Sequence, residues 1–245
     1  MKGGGRTRNE ISGGIFFSAV IQGRDITVVL PAELHPALAG SPAESRVFTG
    51  RDKDLGQLME FLRPAAADDM TARVSVVSGL AGVGKTELVL QAARAALDRG
   101  WFPGGALFVD MFGYDPKHTV EAGTALKGLL RAAGIPGEHI PAETQDQSRL
   151  FSSVIAAYAR EGRPVLVVVD NVSSAAQARP LLPSSGRVVI TSRHMLANLD
   201  ARLLELDALS PQAGADLLVG QLAVSRGNDT RVAQEPDHAL LIARL

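Results

Sequence analysis

The 245-residue sequence contains no cysteine, few aromatics, no long apolar run and no excess of either charge. Each absence removes a class of explanation. Without cysteine there is no disulfide framework and no thiolate metal site, which fits a reducing cytoplasm. Aromatics make up 4% of the chain, while alanine, glycine and arginine are plentiful. That bias looks like a high-GC genome and carries little functional information. The apolar stretch Ile15–Ile21 is far shorter than the roughly 20 residues needed to span a bilayer. No small-residue cleavage pattern follows it, so no signal peptide is expected. The formal net charge is -1, without a clustered basic excess, and no nucleic-acid footprint is expected. No membrane partner is expected either. The sequence therefore predicts a soluble, cytoplasmic protein.

What is present is enough apolar material, 46% of residues, for one or two domains with a real core. Residues 1–30 read as a β-prone segment: Ile15–Gln22 is uncharged and rich in strand formers, Gly23-Arg24-Asp25 breaks it, and Ile26–Leu30 follows. Pro31, Pro36 and Pro42 mark a linker over 31–46. Beyond it the pattern alternates. Helices are predicted over Asp52–Leu62, Thr86–Leu97, Val120–Ala132, Gln145–Arg160 and Pro211–Leu222. Strands are predicted over Val74–Ser78, Ala106–Val109 (ending in Asp110), Val165–Val169, Arg187–Ile190 and Leu203–Leu206. The run Val165–Val169 has no polar alternation, as in a central parallel strand buried on both faces. Strands alternating with helices imply an α/β fold with a five-stranded parallel sheet covered on both faces, in three layers. Residues 223–245 look like the start of a further helical unit.

Between the first of these strands and its helix lies Gly79-Leu80-Ala81-Gly82-Val83-Gly84-Lys85-Thr86, a complete G-x-x-x-x-G-K-[ST] phosphate loop. Glycines let the backbone turn tightly and aim N–H groups at phosphate oxygens. The following helix offers its positive end. Lys85 supplies a cation for the β- and γ-phosphates, and Thr86 a hydroxyl for Mg²⁺. Gly79, Ala81, Gly82, Val83, Gly84, Lys85, Thr86 and Glu87 are thus the predicted contacts to ATP or ADP. Asp170 ends the apolar strand where a Mg²⁺-holding carboxylate belongs; the plain alternative is an aspartate capping the next loop. Asn171 follows, and a neutral amide is no general base, so binding should survive while hydrolysis is slow or depends on another residue. Arg193, after the next strand, stands at the ligand-facing edge and can report on a γ-phosphate; the alternative is a surface arginine. Lys85, Asp170 and Arg193 are the candidates for catalysis, and Thr86 and Asp170 for the metal.

Together these residues resemble the NB-ARC family of STAND-class nucleotide switches, of the actinobacterial regulator type. Val47-Phe48-Thr49-Gly50-Arg51-Asp52 looks like the family's segment ahead of the P-loop. Val165–Asn171 looks like its Walker B strand, and Val189-Ile190-Thr191-Ser192-Arg193 like its sensor strand. Leu206–Ser210 also resembles the segment that follows. The resemblance covers roughly 46–222, and the nucleotide-binding domain is placed over 47–222. It implies a P-loop NTPase that rests with ADP, opens on exchange for ATP and self-associates. It also implies that Val47 and Phe48 contact adenine and that Arg51 reaches the base or ribose. The family's Gly-Leu-Pro-Leu segment and winged-helix domain are not in the sequence, so a form truncated before that lid, with fast nucleotide exchange, is expected.

Asn9-Glu10-Ile11-Ser12-Gly13-Gly14, followed by Phe16 and by Val20-Ile21-Gln22-Gly23, loosely resembles the short amyloid-like signalling motifs of some bacterial switches, and the 11–30 segment is a second expected route to self-association. The bland reading is a packed hairpin or a tail. For function, the main expectation is a nucleotide-controlled switch with slow or no hydrolysis. The alternative is an active oligomeric ATPase. A small-molecule kinase would need an arginine-rich lid, and a DNA-binding regulator a basic recognition helix; neither is evident in the sequence.

Overall fold

In the computed structural model, residues 45, 47–64, 73–226 and 231–243 are described. The β-prone segment expected over 1–30 and nearly all of the 31–46 linker lie outside them. The elements run α1 (Asp52–Leu62), β1 (Val74–Ser78), α2 (Lys85–Asp98), β2 (Ala106–Asp110), α3 (Ala122–Ala132), α4 (Thr144–Arg160), β3 (Leu166–Val172), α5 (Ala175–Ala178), β4 (Arg187–Ser192), β5 (Ala201–Glu205), α6 (Pro211–Ser225), α7 (Arg231–Gln234) and α8 (Pro236–Ile242).

The five strands form one sheet in the order β2-β3-β4-β1-β5, with every neighbouring pair parallel. Successive side chains in a strand point to opposite faces, and the β3 run uses both. Leu166 and Val168 join the core made with Leu58 and Leu62 of α1 and Leu88, Ala92 and Ala96 of α2. Val167 and Val169 join the opposite core, made with Leu126 and Leu130 of α3 and Phe151, Ile155 and Tyr158 of α4. Because neither face meets water, the strand contains no polar alternation. The result is the three-layer α/β arrangement. Tyr158 is fully buried and donates its hydroxyl hydrogen to the Ala133 carbonyl at 3.2 Å, so its polar end is paired.

Some boundaries differ from the sequence pattern for physical reasons. Helix α3 begins at Ala122 because the backbone of Glu121 is extended (φ -70°, ψ 143°), while the Val120 N–H is held in the preceding loop by the Met111 carbonyl at 2.9 Å. Strand β3 continues to Val172 through an irregular step after Val169, where Asn171 has φ 54°. Asparagine is among the few side chains that tolerate this region. Strand β4 continues to Ser192, so Thr191 and Ser192 belong to the strand itself. Helix α6 starts on Ser210, whose side chain accepts from the Ala213 N–H, with Pro211 in its first turn. No helix among the described residues is long and apolar enough to cross a membrane.

Since all five strands are parallel, their carboxyl ends share one edge. There the loop 79–84 leaves β1, Asp110 ends β2, Asp170 and Asn171 lie near the end of β3, and Arg193 follows β4.

Candidate nucleotide-binding site

The phosphate loop depends on its glycines in two ways. Gly79 has φ 147°, and a Cβ there would lie 2.4 Å from the Leu206 carbonyl oxygen, so the close approach of chain beyond β5 excludes any side chain. Gly82 and Gly84 have φ 80° and 91°, conformations that favour glycine, yet a Cβ on either would meet no atom within 4 Å. Open space beside a backbone bent in this way is what a phosphate group requires. Gly84 is the N-cap residue of α2, without a side-chain hydrogen bond closing the helix end. The first N–H groups of α2 and the positive end of its dipole are therefore free of a side-chain cap.

Lys85 is buried, and its ammonium donates to the Gly79 carbonyl at 3.0 Å and the Leu80 carbonyl at 2.6 Å. Burial lowers its pKa, the Arg193 charge lowers it further, and Asp170 opposes both. Next to it, the Thr86 hydroxyl lies 3.0 Å from both carboxylate oxygens of Asp170. Asp170 is buried and also accepts from the Thr191 hydroxyl. Its pKa is raised by burial, with hydrogen bonds from Thr191 and Thr86 working the other way and the Asp110 charge adding to the rise. A carboxylate and a hydroxyl, adjacent and all-oxygen, suit a hard cation such as Mg²⁺, which takes few protein ligands beside substrate phosphates. The residues present therefore fit both an anionic phosphate and its cation.

Asn171 and a residue that the motifs did not single out, Tyr114, complete this edge. Asn171 donates its side-chain N–H groups to Asp110 Oδ1 at 3.1 Å and Asp170 Oδ2 at 3.2 Å, while its backbone N–H reaches Thr191 Oγ1 at 2.9 Å. Tyr114, on the loop after β2, has its hydroxyl 2.8 Å from the Val172 carbonyl and 2.9 Å from Ser192 Oγ, and accepts from the Arg193 N–H at 2.7 Å. The exposed Arg193 guanidinium stacks over the same ring, 4.2 Å from its centre. Asp110 was visible in the sequence only as the end of a strand, with no role at the site; nothing in the sequence marked Tyr114.

The segment ahead of the loop is tied to the protein itself. Arg51 is buried and donates to the Val83 carbonyl at 2.9 Å and the Asp207 carbonyl at 2.6 Å, and pairs with Asp54 at 3.2 Å. Val47 packs on α6, where it occupies the space a Cβ on Gly220 would need, and Phe48 packs against the α1–α2 core. The Glu87 carboxylate accepts from the Ser45 N–H at 3.2 Å and from the Gln91 side chain at 2.8 Å.

The family model for the AAA ATPase domain matches residues 47–199, a span that holds the phosphate loop, Asp170 and Arg193. The chain belongs to the AAA ATPase domain family. Regulatory protein AfsR of Streptomyces coelicolor is 36% identical over 85% of this chain and 20% of its own length. Its namesake in Streptomyces griseus is 35% identical over 78% of this chain and 19% of its own length. This AAA ATPase domain chain thus spans about a fifth of the length of those relatives. Among solved structures, the Aeropyrum pernix ORC2 protein in ADPNP–ADP complexes superposes with a TM-score of 0.50 at 17% identity, covering 75% of this chain and 54% of that one. At that identity the likeness speaks for the AAA ATPase fold alone.

Proposed function

We propose that the chain binds ATP and ADP with Mg²⁺ on Gly79–Thr86 and acts in the cytoplasm as a STAND-type switch, in which nucleotide state governs conformation and self-association and hydrolysis is slow. The observation that carries this reading is the Lys85–Thr86–Asp170 cluster, with open space beside Gly82 and Gly84. Lys85 would exchange its two loop carbonyls for phosphate oxygens. Thr86 and Asp170 would hold Mg²⁺, which when bound supplies charge neutralisation at the β- and γ-phosphates. Arg193, held over the Tyr114 ring, would respond to a third phosphate. A nucleotide that contacts Arg193 differently as ATP and as ADP would shift a two-state equilibrium by that difference in affinity. The regulatory names of the AfsR relatives support a regulatory role, and the NB-ARC-like order of motifs supports the switch class. The net charge of -1 offers no general attraction to a nucleic-acid backbone.

Membership of an ATPase family favours a second reading, an active oligomeric ATPase. Calorimetric titration of ADP and ATP with Mg²⁺ on wild type and Lys85→Ala, with phosphate release and sedimentation followed in parallel, decides between them. Tight ADP binding lost in the variant, little phosphate release and a larger particle with ATP support the switch. Turnover of several molecules per minute moves the assignment to the enzyme, and equal binding by Lys85→Ala removes the phosphate-loop reading.

A further inference from the structure

Asn171 directly follows the carboxylate of β3, and a neutral amide has no useful proton affinity to offer an attacking water. The structure brings another acid to the same place from the neighbouring strand. Asp110 ends β2 in register with Asp170 on β3. The Asn171 amide lies between them and uses its two hydrogens, one toward Asp110 Oδ1 and one toward Asp170 Oδ2. Asp110 Oδ1 also accepts from the Phe112 N–H at 2.8 Å. Oδ1 is therefore fixed twice, whereas Oδ2 accepts no hydrogen bond among the described residues. A carboxylate anchored by one oxygen is held in one orientation, with the other oxygen left for a further partner. An acid at position 171 would crowd a third negative charge against two others. The amide instead joins the two acids and leaves the second one on β2.

We propose that Asp110 is the proton acceptor for the water that attacks the γ-phosphorus of ATP bound on the phosphate loop. The assignment rests on the reading that this loop binds ATP. The water oxygen forms a bond to the γ-phosphorus, and the bond from that phosphorus to the β–γ bridging oxygen breaks. The electron pair of the broken bond leaves with ADP. The proton of the water passes to Asp110 Oδ2 and then to solvent, regenerating the carboxylate. Nothing is oxidised or reduced.

The test is single-turnover release of labelled phosphate from ATP with Mg²⁺ by the full chain, for wild type, Asp110→Asn, Asp110→Glu and Asp110→Ala, the last with and without added formate. ADP affinity is measured on each variant. A positioned general base contributes about 10²–10⁴-fold, so Asp110→Asn should lose at least about 100-fold in rate, or fall to the uncatalysed background. Its ADP affinity should stay within about threefold of wild type. Asp110→Glu should keep part of the rate, and formate should restore part of it to Asp110→Ala. An unchanged rate in Asp110→Asn overturns the proposal, as does a wild type that binds ATP but releases no phosphate above background. Loss of ADP binding together with the rate overturns it too, since Asp110 would then be a structural member of the site. A wild type that binds neither nucleotide brings down the phosphate-loop reading itself, a distinct result.

Discussion

Replacing Arg51 by alanine removes a guanidinium that is 8% exposed and joins three separate parts of the chain. One of its bonds holds the Val83 carbonyl inside the phosphate loop, another holds the Asp207 carbonyl beyond β5, and Asp54 of α1 pairs with the same side chain. A hydrogen bond to a charged donor is worth about 1.5–3 kcal/mol, and such values do not add fully when one group makes both. The Asp54 pair is partly exposed and adds less than about 1 kcal/mol. The loss should therefore be about 3 kcal/mol, which for a chain of this size lowers Tm by about 6–12 °C, at roughly 2–4 °C per kcal/mol. Arg51→Lys should recover less than half, because one ammonium does not reproduce the planar fork. The assay is thermal melting by circular dichroism without nucleotide, paired with ADP titration. If Arg51→Ala melts within about 2 °C of wild type while ADP affinity drops tenfold or more, the reasoning fails. Arg51 then makes the base or ribose contact that the NB-ARC resemblance implies.

Three further outcomes follow from the same edge of the sheet. Gly79→Ala drives a Cβ against the Leu206 carbonyl, in a backbone conformation whose strain alone is about 1–3 kcal/mol, so its urea midpoint should fall well below wild type and ADP binding should be lost. Thr86→Val keeps the shape but not the hydroxyl; ADP affinity in EDTA should be unchanged while the gain from added Mg²⁺ disappears, and a full Mg²⁺ effect would remove Thr86 from the metal set. Tyr114→Phe keeps the ring under Arg193 but loses the hydroxyl that links Val172, Ser192 and the Arg193 N–H, at a cost of about 1–3 kcal/mol for the groups left unpaired. The ratio of ATP to ADP affinity should shrink in that variant, and a wild-type ratio would show that Tyr114 does not position Arg193.

The three layers were legible because local signals were strong. An uncharged five-residue run at Val165–Val169 fits a strand covered on both faces, as in the middle of a parallel sheet between helices, and the glycine pattern 79–84 has few other uses next to a strand and a helix. The relations between strand ends were not legible. Asp110 and Asn171 are separated by helices α3 and α4, and nothing local tells which strand ends up beside β3. That order places β4 between β1 and β3, so Thr86 must reach Asp170 past an intervening strand, and Thr191 of that strand becomes the third member of the cluster. The left-handed backbone at Asn171 was equally hidden, since asparagine is compatible with many conformations. These hidden relations change what Asn171 means. In sequence it reads as a missing base. In three dimensions it is a neutral donor held between two carboxylates, a place where a third acid would be repelled. The residue that looked like a lost function is better explained by where the sheet order puts its neighbour.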